Sequence, residues 1–392
     1  MSSRRTHRWI LAAASALAAC VSISGCDKAG VGGDGESICG AASGATSFVA
    51  ADQLFRRDPN WLGGDGAYSV TLGNGRVLWM FGDSFVSKDG SPSRRKAAFV
   101  RNTVGVQTGI DPSAASLQFF WRGGTTAPSS FVAEASPNWY WPMGGANAKG
   151  RIFLFYVAEK AVSGGLGFEA AGNRLVTVDD PSGPPLGWVL TERTFSVPPS
   201  LRVTLLAPFV DDDTMYVYAI RDPGDHGVFV AKVTVTHAVN GDFSGALWWC
   251  GDRGWRDATD VGASPTVVFP SATTTDNPAE LSVARRPDGT YIAVHSVGFG
   301  ATKIALRTAP RPEGPWTEPC PFFTPPESNT SNPFVYAGKG HAELDGADLV
   351  ATYVTNSFES QKTYDDMSLY YPRFVRASLT TTPSKPKDAS AE

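Results

Sequence analysis

The chain predicts an all-β fold, a five-bladed β-propeller whose N-terminal strand closes the last blade. Three observations lead there. The 392 residues include 41 Gly and 28 Pro and show no convincing amphipathic helix after residue 40. A turn followed by an apolar strand recurs five times. The stretch Gly64 to Val86, GDGAYSVTLGNGRVLWMFGDSFV, alternates apolar and polar residues on both sides of Asn74-Gly75, which is the pattern of a β-hairpin.

Taken in order, the chain opens on a targeting segment. Arg4, Arg5 and Arg8 precede an apolar run from Trp9 to Ala19, and Ile23-Ser24-Gly25-Cys26 follows. The run is too short for the roughly 20 apolar residues of a bilayer span, so residues 1–25 read as a signal peptide. Ile-Ser-Gly-Cys resembles the bacterial lipobox, which makes Cys26 the lipidated first residue of the mature chain. That places the protein in the bacterial cell envelope, held to a membrane by its lipid on the periplasmic or cell-surface side. Residues 26–46 are rich in Gly, Ala and Ser and read as a flexible tether. The propeller is expected over 47–380, and 381–392 as a disordered tail.

The repeated turns are Gly73-Asn74-Gly75, Ala148-Lys149-Gly150, Asp211-Asp212-Asp213, Pro287-Asp288-Gly289 and Asp345-Gly346-Ala347. Each leads into a strand (VLWMF, RIFLFYV, TMYVYAI, TYIAVHSV and DLVATYV) and then into another: AAFVRNTVGV, GNRLVTV, HGVFVAKVTV, TKIALRT and PRFVRASL. Four units offer an outer strand as well, in SLQFFW, GWVLTER, ALWWC and PWTEPCPFF. The fifth lacks one, and SFVAADQLF over residues 47–55 is expected to supply it, because an open ring leaves an exposed edge. Two packed β-sandwiches are the rival architecture, but residues 180–205 continue the repeat where a linker is needed.

Composition excludes several functions. The formal net charge is −4, and the signal peptide removes three arginines and no acid, so the mature chain is more acidic still and unsuited to nucleic acid. No CxxC or HExxH pattern occurs, so neither a metal site nor a cofactor is expected. Cys39, Cys250 and Cys320 remain for disulfide pairing in an oxidising compartment, with one thiol left over.

Candidate chemistry lies where first strands of blades meet on the axis. Asp65 and Asp83 flank the hairpin symmetrically about Asn74, so near register places their Cβ atoms roughly 5 to 8 Å apart. Paired carboxylates raise one pKa, which suits hydrolysis; each Asp could equally be a strand-end cap. Glu280 starts the first strand of the fourth unit and is the candidate acid from across the axis. Trp141, His341, Glu343, Asn356 and Arg373 are candidate substrate-binding residues: Trp141 for stacking on a sugar, and the others for sugar hydroxyls or carboxylates. Packing of Trp141 between blades, and pairing of Arg373 with a buried Asp to close the ring, are the structural alternatives.

The segments GDGAYSV and LWMFGDSFV, with Gly314-Pro315-Trp316, HAEL, VTNS and YYPRFVRASL, resemble a bacterial family of secreted five-bladed propellers. It was long known only as a domain of unknown function and includes endo-D-arabinanases. The likeness spans roughly residues 60–380. It implies a glycoside hydrolase acting on a polysaccharide, arabinan being the substrate it suggests, with an acidic site at Asp65 and Asp83 and Glu280 as further catalytic acid. Trp141-Pro142 and Ala207-Pro208 stand where many five-bladed glycosidases carry an acid. The alternative function is a carbohydrate-binding or envelope-interaction lipoprotein without catalysis.

Overall fold

The hairpin forms as its alternation predicts. In a computed structural model that describes residues 42–379, apart from 165, 261–263, 272, 274–275 and 345, Tyr68–Gly73 pairs antiparallel with Arg76–Phe81. Asn74 and Gly75 make the turn at φ 52° and 69°, left-handed angles that these two residue types tolerate best. The signal segment, Cys26, Cys39 and the tail lie outside the described residues.

Five antiparallel sheets follow one another along the chain. The first holds Tyr68–Gly73, Arg76–Phe81, Thr103–Thr108 and Ser116–Phe120. The second holds Asn138–Ala148, Arg151–Ala161, Phe168–Val178 and Thr191–Arg193. Val203–Asp211, Thr214–Arg221, Val228–Thr234, Leu247–Trp249 and Trp255–Asp257 form the third. Leu281–Arg285, Tyr291–Val297, Lys303–Ala309 and Cys320–Phe323 form the fourth. In the fifth, Pro333–Gly340, Leu349–Ser357 and Pro372–Leu379 are joined by Ala42–Ser47 from the other end of the chain. In these sheets successive strands after the first are neighbours, and the turns Gly73-Asn74-Gly75, Ala148-Lys149-Gly150, Asp211-Asp212-Asp213 and Pro287-Asp288-Gly289 lead into second strands as expected; Asp345 of the fifth turn lies outside the described residues.

The core is a series of apolar wedges between successive sheets, filled by the inward face of each alternating strand. Val70, Leu78 and Leu154 pack between the first and second sheets, and Phe155, Leu205 and Met215 between the second and third. Tyr218, Leu281 and Ala293 join the third to the fourth, and Ile304, Leu306 and Val375 the fourth to the fifth. Trp79, Phe81, Val350 and Phe374 fill the wedge between the fifth sheet and the first. This succession makes the fold all-β and propeller-like. Burying one such large apolar side chain contributes roughly 1.5–3 kcal/mol.

Two expectations need correction, and one of the cysteine pairings left open is removed. The strand that completes the fifth sheet is Ala42–Ser47, paired with Pro372–Leu379, not residues 47–55, so residues 42–46 of the segment read as tether belong to a strand. Val49–Asp52 is instead helical and Gln53–Phe55 a 3₁₀ turn. Asp52 ends the ladder there: its Oδ1 accepts the Phe374 amide at 2.7 Å, where a strand would have offered a carbonyl. The segment AAFVRNTVGV splits, because Ala98–Val100 leaves the first sheet to pair with Ser84–Val86, which pairs in turn with Trp61–Gly64 in a small separate sheet. Finally, Cys250 is a buried free thiol and Cys320 is disulfide-bonded, which rules out a bond between these two.

Candidate active site

The small sheet and the hairpin together place the first acids. Asp65 follows Trp61–Gly64 and precedes Tyr68–Gly73, while Asp83 follows Arg76–Phe81, and the Gly82 amide donates to the Asp65 carbonyl at 2.9 Å. The two carboxylates therefore sit side by side at the end of the hairpin away from its turn. Both line one cavity of about 500 Å³, and so do Glu280, Trp141 and Asn356. The sequence thus brought five of its eight candidate catalytic and binding residues to one mouth.

Asp65 Oδ2 accepts hydrogen bonds from the Tyr336 hydroxyl at 2.9 Å and the Tyr370 hydroxyl at 3.1 Å. Burial, with Asp83 and Glu280 nearby, pushes its pKa up to about 7 against the lowering effect of the two phenols. Oδ1 lies over Gly82, where an added Cβ would approach within 2.5 Å of it. Asp83 accepts from Trp141 Nε1 at 2.8 Å and forms an ion pair with Arg101 at 3.2 Å. Burial raises the Asp83 pKa and Arg101 opposes the rise. Two interacting carboxyls of this kind titrate as a pair.

Glu280 differs. Its Oε2 accepts a charge-assisted hydrogen bond from Lys339 Nζ at 2.5 Å, and Lys339 is buried with its ammonium 4.2 Å from the centre of the Tyr68 ring. A carboxylate so paired suits accepting hydrogen bonds and orienting a ligand more than giving up a proton. This argues against the donor role expected for Glu280.

The remaining expected residues lie elsewhere. His341 Nδ1 is 2.6 Å from Ser69 Oγ and Nε2 is 2.8 Å from Thr352 Oγ1, with its ring 4.8 Å from that of Trp79. Burial and Lys339 hold its pKa down to about 3, so it is a neutral stitch between the first and fifth sheets. His341 and Glu343 line a second cavity, of about 380 Å³, among the first strands. Burial pushes the Glu343 carboxyl up, and its Oε1 has no hydrogen-bond partner. Arg373 lines neither cavity: it pairs with Glu327 at 3.2 Å and donates to the Ser368 carbonyl, a structural role, although with Glu327 in place of the buried Asp weighed as its partner.

Sequence reasoning missed Tyr336, Tyr370, Arg101 and Glu159. Glu159 lies two residues before the end of the strand Arg151–Ala161, lines the same mouth and is 4% exposed. Its signal was present: Phe153, Phe155, Val157 and Glu159 share one parity on that strand, so an acid occupies an apolar-facing register. Around these acids the mouth wall is aromatic, with Phe85, Phe99, Trp139, Phe168, Phe299 and Phe334. Such a wall excludes water and offers faces for sugar rings. Among the described residues no group of three or more His, Cys, Asp or Glu could hold a metal ion.

The family model described as "Domain of unknown function (DUF5005)" matches residues 50–379. A crystal structure from Bacteroides ovatus, described as a "putative hydrolase", is 18% identical with a TM-score of 0.65, over 85% of this chain and 90% of that one. The catalytic domain of a GH62 α-L-arabinofuranosidase from Coprinopsis cinerea is 13% identical, covering 83% of this chain and 92% of that one, with a TM-score of 0.46. A GH43_1 enzyme from Xanthomonas citri complexed with xylotriose is 16% identical, over 85% and 96% of the two chains, also at 0.46. The first likeness shows a shared fold, to which the weaker scores of the other two add nothing. No curated protein matches the chain.

Proposed function

The chain belongs to the DUF5005 family, and from that premise and the acidic mouth we propose that it is a glycoside hydrolase built on a closed five-bladed β-propeller, with Ala42–Ser47 closing the last blade. The observation that carries the reading is the pair Asp65 and Asp83, interacting carboxyls set in an aromatic cavity with Glu280 on the same mouth. Cleaving a glycosidic bond takes one carboxyl to protonate the leaving oxygen and another to activate water or attack the anomeric carbon. Asp65 serves as base or nucleophile: Tyr336 and Tyr370 fix one oxygen and leave Oδ1 for the reacting atoms. Asp83 tunes that carboxyl, and Glu280 with Asn356 orients the glycan over the Trp141 face. Arabinan is the substrate suggested by the family resemblance. Screening purified polysaccharides, arabinans included, for new reducing ends tests the reading; no release from any glycan that the protein binds overturns it.

A binding role without catalysis is favoured by one observation, the cations that already occupy Glu280 and Asp83. The polysaccharide screen separates the two, and Gly82→Ala then tests the place of Asp65 in the chemistry. Its new Cβ must displace Asp65 Oδ1 while leaving the mouth open, so turnover should fall about 10- to 100-fold with thermal stability little changed. Unchanged turnover would remove Asp65 from the chemistry.

The protein is further proposed to be a lipoprotein of the cell envelope, anchored through Cys26. A lipid-modified Cys with more than one acyl chain holds a protein firmly to a bilayer, where a single chain is marginal. Wild-type protein is expected in the membrane fraction and Cys26→Ser in the soluble one. Equal partitioning of both refutes the anchor.

A further inference from the structure

Glu159 lies near the end of its strand and lines the mouth, opposite Trp139 on one neighbouring strand and Ala170 on the other. Its Oε2 is buried and has no hydrogen-bond partner. The charged groups that face it are Asp83 from the first sheet, Glu169 from its own sheet and Asp222 after the third sheet's second strand, all acidic; His226 and Arg202 lie near Asp222. Glu169 is itself paired with Lys160 at 3.0 Å. A buried carboxyl among acids, without a cation of its own, has one inexpensive state, the neutral acid. In that state it holds a proton, and its buried Oε2 has no partner among the described residues.

We propose that Glu159 is the proton donor of the mouth, the catalytic residue that protonates the leaving oxygen while Asp65 activates water or attacks carbon. The inference rests on the glycoside hydrolase reading. The bond between the anomeric carbon and the leaving oxygen breaks, its electron pair stays on that oxygen, and the proton moves from Glu159 to it. Water supplies hydroxyl to the anomeric carbon and yields its proton to a carboxylate, and exchange with solvent restores both groups. The Asp83 charge acts on both groups, raising Asp65 and Glu159 alike. Burial, with Asp222, Asp83 and Glu169, pushes the Glu159 pKa up to about 8, so the donor stays loaded at neutral pH.

The test compares Glu159→Gln with wild type on two substrates: the polysaccharide that wild type cleaves, and an aryl glycoside of the same sugar whose phenolate leaves without protonation. The expected result is a loss of about 10²-fold or more on the polysaccharide, nearly full activity on the aryl glycoside, and disappearance of the alkaline limb of the pH–rate profile. Equal losses on both substrates, or none on the polysaccharide, overturn the donor role while leaving the hydrolase reading standing. If wild type cleaves neither substrate, the hydrolase reading fails and the donor falls with it. The amide replaces a neutral acid of the same shape, so the variant should fold; should it not, Glu159→Asp keeps a proton and draws it back by one methylene. Its polysaccharide rate should then fall more than its aryl rate, and a uniform fall contradicts the proposal.

Discussion

Asp65→Asn is expected to lower kcat by about 10²-fold or more on any glycan the protein cleaves, with KM changed little. The amide keeps an oxygen for Tyr336 and Tyr370 but can neither take a proton from water nor attack carbon. Two further consequences identify the cause. Because Asp65 must be ionised and its pKa stands near 7, the wild-type rate should fall on the acid side of about pH 7; with a donor raised to about 8, the optimum lies between these values. The stability effect has the opposite sign. A carboxyl raised from 3.8 to about 7 binds its proton more tightly in the folded state, so its contribution is full below pH 3.8 and is lost as pH rises through 7. Asp65→Asn lacks that loss, and its Tm at pH 8 should exceed that of wild type while its turnover collapses. Near wild-type turnover, or a lower Tm at pH 8 with equal Tm at pH 4, contradicts the assignment.

The second large effect concerns the frame that holds Tyr370. Arg94 is 1% exposed and donates to the backbone carbonyls of Leu62, Thr363, Asp366 and Leu369 at 2.7, 2.7, 3.2 and 2.6 Å. One guanidinium thus ties the approach to Asp65 to the loop before the last strand. Gly63, at φ 120°, passes between Arg94 and the Tyr370 carbonyl where a Cβ would meet that oxygen at 2.4 Å. Arg94→Ala strands several buried carbonyls and should destabilise by about 3–5 kcal/mol, a fall in Tm on the order of 10 °C. Arg94→Lys, with a point charge in place of a planar fork, should recover only part of this and also slow turnover, since Tyr370 loses its seat. A Tm within a degree or two of wild type for Arg94→Ala would show that the loop is held otherwise.

Much of the fold was legible because it is local. Asn74-Gly75 announces its turn, and the alternation of Val77, Trp79 and Phe81 is repeated in every second strand. What was missed depends on distant partners. Ala42–Ser47 is a run of small residues with little strand preference, and it is a strand because Pro372–Leu379 offers an open edge. Residues 47–55 look apolar enough for that edge, yet Phe55 turns inward to stack on Phe374, 5.1 Å between ring centres, and a helical turn takes it there. The site divides the same way. Asp65 and Asp83 were found because one hairpin presents both. The Lys339 that pairs with Glu280, the tyrosines that hold Asp65, and Asp83 and Asp222 beside Glu159 come from distant parts of the chain, so no spacing along it reveals them.

Cleavage of a responding polysaccharide in water enriched in oxygen-18, followed by mass measurement of the products, tests the central claim most directly. Carboxylate-assisted hydrolysis predicts one labelled oxygen at each new reducing end and none at the other fragment. Products without label, or an unsaturated sugar at the cleavage point, would contradict hydrolysis at the anomeric carbon and with it the roles of Asp65 and Asp83.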